Sequence, residues 1–223
     1  MATVSPTGQR GRAIGLIALM ALAWCAPAQG SEPAAGYELT IRNTNSGQNF
    51  SPPVIVLHTA GFRLFELGQP ATEALWRLAE DGSTAEFQAL ADPEVRGVVV
   101  GRPVHRRNSP VVTTAFETSP DSLISVAAML SLTNDGFVAA RSIALPEHVG
   151  ASTTVALRAY DAGSEANTES CAHVPCEIHD QRMTDGAEGV VTDHAGIRGD
   201  ADIAISRGWN GPDLGALTIT RLR

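Results

Sequence analysis

The chain has 223 residues, of which 16 are basic and 24 acidic, and its formal net charge is −8 at neutral pH. It contains no lysine, and its acidic residues are scattered along the whole sequence. Binding to nucleic acid needs many cations on one surface that follows the phosphates, so this composition argues against nucleic acid as a partner. We interpret the small basic cluster at residues 102–107 as a solvated loop.

The first 28 residues have the pattern of an export signal. Arg10 and Arg12 precede an apolar stretch, residues 13–24, and small residues then supply a cleavage site. Spanning a bilayer takes about 20 apolar residues, and no run in this sequence is that long. We expect a signal peptide over residues 1–28, a polar linker over 29–36 and one exported domain over 37–223. That domain is expected in the periplasm or outside the cell, without a membrane span.

Most of the remaining sequence consists of short apolar or alternating runs between clusters of Gly, Pro, Asn and Asp. Alternation of apolar and polar side chains with a period of two is typical of a half-buried strand. Many short strands with frequent turns indicate an all-β fold, and we expect an antiparallel β-sandwich. The expected strands are 37–43, 54–58, 98–100, 111–117, 123–132, 137–143, 153–159, 189–192 and 217–222.

One stretch between the second and third strands departs from this pattern. Residues 71–80 are rich in strong helix formers and place their leucines on one face. A second, shorter helix is expected over residues 84–90, with Thr84 as its N-cap. The sequence therefore predicts a helical excursion around residues 71–90 in an otherwise all-β domain.

Two acidic turns each follow an apolar strand. Asp135 comes after the longest apolar run, residues 123–132, and Asp161 and Glu165 come after the run at residues 153–159. If these strands run parallel with a third strand between them, both turns emerge at the same rim of the sheet. Taken alone, the Asn-Asp-Gly context of Asp135 is also typical of an ordinary hairpin turn.

Three carboxylates within a few ångströms repel one another unless a cation neutralises them. Oxygen ligands from separate loops suit Ca²⁺, which accepts six to eight oxygens at roughly 2.3–2.6 Å in flexible geometry. Zinc prefers imidazole or thiolate, and magnesium requires a more regular cage. We therefore expect Asp135, Asp161 and Glu165 to bind calcium as the cofactor of this domain.

Two cysteines remain once the signal peptide is removed, Cys171 and Cys176. An exported pair this close in sequence predicts a local disulfide. A zinc site that also uses His173 and His179 is the alternative, although the spacing fits no common zinc motif.

The sequence has no nucleophile elbow, no metalloprotease helix, no phosphate-binding glycine loop and no dinucleotide fingerprint. Its histidines, His58 and His194 among them, show no metal-ligand spacing, and a buried imidazole bonded to backbone is the simpler interpretation of each. We expect a protein that is not an enzyme. The alternative is a periplasmic hydrolase that uses Asp135, Glu165 or His194.

Five sequence strings are distinctive, at residues 50–58, 65–71, 128–138, 159–167 and 194–197. Together they resemble the spondin N-terminal domain family, over about residues 37–223. The resemblance implies an antiparallel β-sandwich, similar to the calcium-dependent lipid-binding domains of signalling proteins, with a calcium ion at one end.

The resemblance implies that Asp135, Asp161 and Glu165 are the calcium ligands. Gly136 differs from the aromatic residue of animal members, and Glu165 replaces the Asp of some members. We expect an exported calcium-binding module whose rim recognises an anionic lipid, a glycan or an envelope protein. A purely structural envelope component, in which the metal only ties loops together, is a further alternative.

Overall fold

The computed structural model describes residues 1–3, 34–107, 110–176 and 181–223, with only the backbone described at 110–113. The chain divides into residues 1–31 and 32–223, and the second unit contains all of the elements below. The predicted signal peptide falls almost entirely outside the described residues and stays a prediction.

The described residues contain nine strands: β1 (Ala35–Asn43), β2 (Val54–His58), β3 (Val95–Val100), β4 (Pro110–Thr118), β5 (Leu123–Met129), β6 (Gly136–Ala144), β7 (Ser152–Asp161), β8 (Thr192–Asp193) and β9 (Asp213–Arg221). They form one antiparallel sheet in the order β3-β2-β5-β6-β7-β9-β1-β4, with β8 paired to β7. The end strands β3 and β4 approach each other, so the sheet is nearly closed. This architecture confirms the predicted all-β, sandwich-like fold.

The main hydrophobic core lies inside the curved sheet and is built from alternating strand positions. Leu39 and Ile41 of β1 and Val126 of β5 belong to it and are almost fully buried. Ala127, the next residue along β5, belongs instead to a second cluster on the opposite face of the sheet. Because both faces of β5 are covered, its residues are apolar on both faces, with Ser125 as the exception, rather than alternately apolar and polar.

Two helices cover that second face. Helix α1 spans Glu73–Asp81; it begins where Thr72 Oγ1 accepts a hydrogen bond from the Leu75 backbone N–H, at 3.3 Å. It ends at Gly82, whose φ of 68° is the left-handed conformation that glycine adopts readily. Helix α2 spans Ala85–Gln88 and is shorter than the predicted 84–90. Thr84 is its N-cap residue, as predicted, but the Thr84 side chain makes no capping hydrogen bond.

Most element boundaries agree with the sequence prediction, and two strands are shorter than expected. Strand β5 ends at Met129, three residues before the end of the apolar run 123–132. The chain turns there, because Thr133 Oγ1 donates a hydrogen bond to the Leu130 carbonyl. The expected strand 189–192 overlaps the two-residue strand β8 at Thr192 alone. Among the described residues, none of the helices is both long and apolar enough to cross a membrane.

The predicted disulfide is present. Cys171 and Cys176 are bonded through their sulfur atoms, with Cα atoms 5.3 Å apart. The two sulfurs are therefore not free thiolates for zinc. His173 contacts Thr168 Oγ1 through Nδ1 at 3.0 Å, and His179 lies outside the described residues.

Candidate metal centre

The topology brings the two acidic turns to the same rim. Strands β5 and β7 both pair antiparallel with β6, so they run parallel to each other with β6 between them. Gly136, the first residue of β6, is the register partner of Asp161, the last residue of β7. Asp135 immediately precedes Gly136, so the predicted meeting of Asp135 and Asp161 at one rim is confirmed.

Asp135 is fully buried, and its two carboxylate oxygens have different surroundings. Its Oδ2 accepts hydrogen bonds from the backbone N–H of Ser164 (2.6 Å), the Ser164 hydroxyl (3.0 Å) and the backbone N–H of Glu165 (3.0 Å). Its Oδ1 is buried and has no hydrogen-bond partner in the described part of the chain. One oxygen is thus held firmly by the 161–165 loop, and the other is available to a ligand.

Asp161 is 2% exposed and is also held by its own loop. Its Oδ1 accepts from the Gly163 backbone N–H at 2.8 Å, and its Oδ2 accepts from the Asn167 side-chain amide at 2.5 Å. On the other side of the rim, Asn134 Oδ1 accepts from the Thr168 backbone N–H at 3.1 Å. These bonds join the two turns into one rigid unit that orients both aspartates.

The electrostatics of the pair favour a cation. The pKa of Asp135 is raised to about 7, chiefly by burial and secondly by the neighbouring charge of Asp161. Burial also raises the pKa of Asp161. Two carboxylates this close and this dry are costly when both are ionised, and a divalent cation removes that cost. The unpaired Oδ1 of Asp135 and the oxygen-only donor set therefore fit a hard divalent metal ion.

The third predicted ligand, Glu165, is placed differently. Its backbone lies at the aspartate pair, but its carboxylate Oε1 accepts from the Met183 backbone N–H at 3.0 Å and lies 3.9 Å from Arg182 Nε. Burial raises the pKa of Glu165 to about 7, and the charge of Glu80 contributes to the rise. No cluster of three or more His, Cys, Asp or Glu side chains spaced to hold a metal occurs among the described residues. The structure thus brings two of the three predicted side chains together, and the metal-binding role of all three stays a prediction.

Sequence reasoning missed two buried carboxylates near this rim, those of Glu80 and Glu169. Both oxygens of Glu169 are satisfied by backbone, because they accept from the N–H groups of Arg198 (2.6 Å) and Gly199 (2.7 Å). Glu80 lies in the last turn of α1 and is 4% exposed. Sequence does offer one signal for Glu80: it is an acidic residue at the negative end of a helix whose last turn contains no basic residue.

Among the described residues, neither His58 nor His194 is hydrogen-bonded to a carboxylate of the rim. His58 is buried, with Nδ1 2.7 Å from the Thr59 carbonyl, as its simpler interpretation predicts. His194 Nδ1 accepts from the Gly196 backbone N–H at 2.9 Å, and burial lowers its pKa to about 4. In the described residues, no hydrogen bond joins His194 to Asp135 or Glu165.

Gly136 is required at this rim by close packing. A Cβ atom at this position would lie 2.6 Å from Thr133 Oγ1 and 2.8 Å from His194 Cδ2. Both distances are shorter than real Cβ contacts, so the His194 ring occupies the space that a larger residue would need.

We expect Gly136→Ala to lower the free energy of unfolding by about 1–3 kcal/mol, because it overpacks this contact. Denaturant unfolding measures the change. Gly97→Ala in β3 is the matched control, because its Cβ would meet only Leu57 Cδ1 at 3.7 Å. Equal losses in the two variants would contradict the role given to the His194 contact.

The fold and the site together define an all-β domain that gathers buried acidic loops at one rim of a nearly closed sheet. The family model described as Spondin_N matches residues 41–184, more than half of the chain, and the chain belongs to this family. The matched range contains all three predicted metal ligands and both cysteines, whereas His194 lies outside it. No curated protein matches the chain. The family, together with the disulfide, supports a secreted domain.

Proposed function

We propose that the protein is an exported calcium-binding domain without catalytic activity, whose loop-bearing rim recognises a ligand at the cell surface or in the envelope. The observation that carries this proposal is the buried pair of Asp135 and Asp161, in which one oxygen of Asp135 has no partner in the described residues. A buried carboxylate oxygen normally has a hydrogen bond or an ion. Asp135, Asp161 and Glu165 are the residues proposed to hold the metal.

Calcium suits this site better than a softer metal does. The donors available at the rim are carboxylate oxygens and backbone carbonyls, which calcium accepts together with water. The sulfurs of Cys171 and Cys176 are bonded to each other and supply no thiolate. When bound, calcium supplies positive charge that holds the two loops together and offers a coordination position to an anionic group.

The surface ligand is proposed to be an anionic lipid, a glycan or an envelope protein in the periplasm or outside the cell. Support comes from the position of the acidic loops, which lie together at an end of the sheet rather than in its core. The protein as a whole is acidic, so a bound cation provides a local positive centre for such a ligand.

Titration calorimetry with Ca²⁺ tests the metal. A ligand that binds only the folded state at 100 times its Kd stabilises by about 2.7 kcal/mol, which corresponds to a rise in Tm of roughly 5–10 °C for a domain of this size. Asp161→Ala is expected to remove most of the binding heat and of the Tm rise. Asp193→Ala is the control, because Asp193 is exposed on β8 and only approaches Arg158 at 3.7 Å.

Absence of both binding heat and a Tm rise in the unaltered protein would contradict calcium binding. An unchanged response in Asp161→Ala would instead mean that other carboxylates bind the metal.

Recognition at the rim is tested separately, by sedimentation with envelope membranes in the presence of calcium or of a chelator. Retention that depends on calcium supports a binding module, whereas retention in neither condition supports a purely structural metal. The hydrolase alternative makes a different prediction, namely turnover on a panel of esters and glycans that is lost when Asp135, Glu165 or His194 is replaced.

A further inference from the structure

A cleft of about 410 Å³ lies between the loop that follows β2 and strand β6. We call it the arginine cleft, because Arg63 of the loop and Arg141 of β6 both line it. Glu66 and Leu67 of the loop and Ser142 of β6 line it as well, and all five residues are exposed. Its volume lies within the range of about 300–1,000 Å³ that is usual for small-molecule sites.

Arg141 is held at the cleft by aromatic rings. Its guanidinium carbon lies 4.3 Å from the centre of the Phe65 ring and 5.7 Å from that of the Tyr160 ring. Its Nη1 donates to the Phe65 carbonyl at 3.2 Å, and its Nε and Nη2 donate to none of the described residues. Within the described part of the chain, no carboxylate lies at ion-pairing distance from this guanidinium. Arg141 is therefore fixed in position while its charge has no counter-ion.

Arg63 is fixed in a similar way from the opposite wall. Its Nη1 donates to the backbone carbonyls of Ala60 at 2.5 Å and Phe62 at 2.9 Å. It too forms no ion pair with a described residue. Arginine binds carboxylate and phosphate groups through paired N–H donors, and two uncompensated guanidiniums at one cleft favour an anion between them.

A β-bulge brings a further polar side chain to the cleft. Opposite the stretch from Ile124 to Val126 of β5, the segment 140–143 of β6 contains one additional residue. Neighbouring side chains of a strand normally face opposite sides of the sheet. Here Arg141 and Ser142 are both exposed, because the additional residue breaks the alternation.

Two buried polar residues support this bulge. Ser125 Oγ accepts from the Ser142 backbone N–H at 2.9 Å and lies 2.8 Å from His58 Nε2. Ser125 and His58 are both fully buried. Ser142 has a φ of 50°, a conformation that residues other than glycine rarely adopt, so it needs such support. The polar exception in the apolar strand β5 thus fixes one wall of the arginine cleft.

The charges and groups of the cleft define its ligand. Arg63 and Arg141 supply two positive charges and Glu66 one negative charge, which leaves one positive charge uncompensated. This suits a single carboxylate better than a phosphate monoester, which carries about −1.5 to −2 at pH 7. Glu66 and Ser142 can form hydrogen bonds with hydroxyl groups, and Leu67, which is 47% exposed, offers an apolar surface to a ring. A sugar acid combines a carboxylate, hydroxyl groups and a ring.

We propose that the arginine cleft binds an acidic saccharide unit, with the carboxylate between Arg63 and Arg141 and hydroxyl groups at Glu66 and Ser142. This binding does not require the metal. Arg141 lies five residues from Gly136 along β6, which corresponds to about 16 Å at about 3.3 Å per residue. At physiological salt, exposed charges are largely screened beyond about 8 Å, so the metal has little direct influence on the cleft.

The experiment is an NMR titration of the isotope-labelled full chain with glucuronate. Glucuronate is expected to shift the N–H signals of residues 63–67 and 141–142. Glucose, which lacks the charge, and inorganic phosphate, which lacks the ring, are expected to bind about tenfold more weakly, the effect of losing one charged hydrogen bond or its equivalent. A chelator is expected to leave the affinity for glucuronate unchanged, as is Asp161→Ala.

Variants test the individual groups. Arg63→Gln is expected to weaken glucuronate binding about tenfold through loss of charged hydrogen bonds. Arg42→Gln is the matched control, because Arg42 is an exposed arginine of β1 that forms no ion pair with a described residue and does not line the cleft. Glu66→Gln is expected to improve phosphate binding relative to glucuronate, because it removes the negative charge of the cleft. If Arg63→Gln does not fold by circular dichroism, Leu67→Glu decides, because a carboxylate there is expected to abolish binding and an unchanged affinity overturns the proposal.

The outcomes separate this inference from the proposed function. Equal weakening in Arg63→Gln and Arg42→Gln overturns it, because only the net charge of the protein would then matter. Equal affinities for glucuronate and phosphate overturn the saccharide class, and loss of binding in chelator assigns the effect to the metal rim instead. Glucuronate binding without calcium binding supports the arginine cleft and contradicts the proposed function alone. Several-fold tighter binding of a disaccharide that ends in glucuronate assigns the cleft to the ends of glycans, whereas equal binding assigns it to free sugar acids.

Discussion

Phe137→Ala is expected to lower the free energy of unfolding by about 3–5 kcal/mol, the usual cost of truncating a buried aromatic side chain. Phe137 is fully buried and contacts Phe65 edge-on at 5.2 Å between ring centroids and Tyr160 at 5.6 Å. Three rings from a loop and two strands share this volume, so a cavity here cannot close by moving one side chain. Denaturant unfolding with an unchanged m-value is the measurement.

The same substitution is expected to weaken calcium binding. Phe137 follows Gly136 in β6, and Tyr160 precedes Asp161 in β7, so the aromatic contact lies directly under the two aspartates. Phe137→Leu, which keeps most of the volume, is expected to lose less stability and to bind calcium more tightly than Phe137→Ala. A loss below 1 kcal/mol in Phe137→Ala would contradict the structural role of this aromatic cluster.

The metal-free protein is expected to lose stability as the pH rises from 4 to 7. Burial and the charge of Asp161 raise the pKa of Asp135 from 3.8 to about 7 in the folded state. Between these values the folded protein keeps a proton that the unfolded chain has lost. The stabilisation from that proton is fully present below pH 3.8 and is lost as the pH rises through about 7, with a slope of up to about 1.4 kcal/mol per pH unit for one group.

Thermal unfolding in the presence of a chelator measures this effect. Glu165, whose pKa is raised from 4.5 to about 7, contributes a slope of the same sign. His194, whose pKa burial lowers from 6.5 to about 4, contributes a slope of the opposite sign, and the two carboxylates outweigh this one imidazole. Asp135→Asn is expected to flatten the profile, because an amide does not titrate. Saturating calcium is expected to flatten it as well, since the ion takes the place of the proton. A Tm that stays constant or increases over this range without metal would be inconsistent with the raised pKa values.

Local patterns predicted much of this domain. The alternation in β1, the helix formers of α1 and the close pair Cys171 and Cys176 each depend on short-range geometry, so each was visible in sequence. The meeting of Asp135 and Asp161 was also predictable, because a central β6 between two parallel strands places both turns at one rim.

Other features depend on which side chains face one another across long sequence separations. The sequence around Glu165 does not indicate which way its carboxylate points. Arg182 and Met183, which belong to a later loop, hold that carboxylate on the side of Glu80. Likewise, the need for Gly136 follows from the His194 ring packed against it.

The strands, the helical excursion, the disulfide and the two acidic turns were predictable from local sequence, because strand pleat, helix periodicity and turn chemistry act over a few neighbouring residues. The three-dimensional fold was needed to show how the sheet nearly closes and which carboxylates share a buried space. Sheet closure and the grouping of carboxylates both depend on how distant segments pack. A displacement of a few ångströms there decides whether two carboxylates lie beside each other or beside a cation.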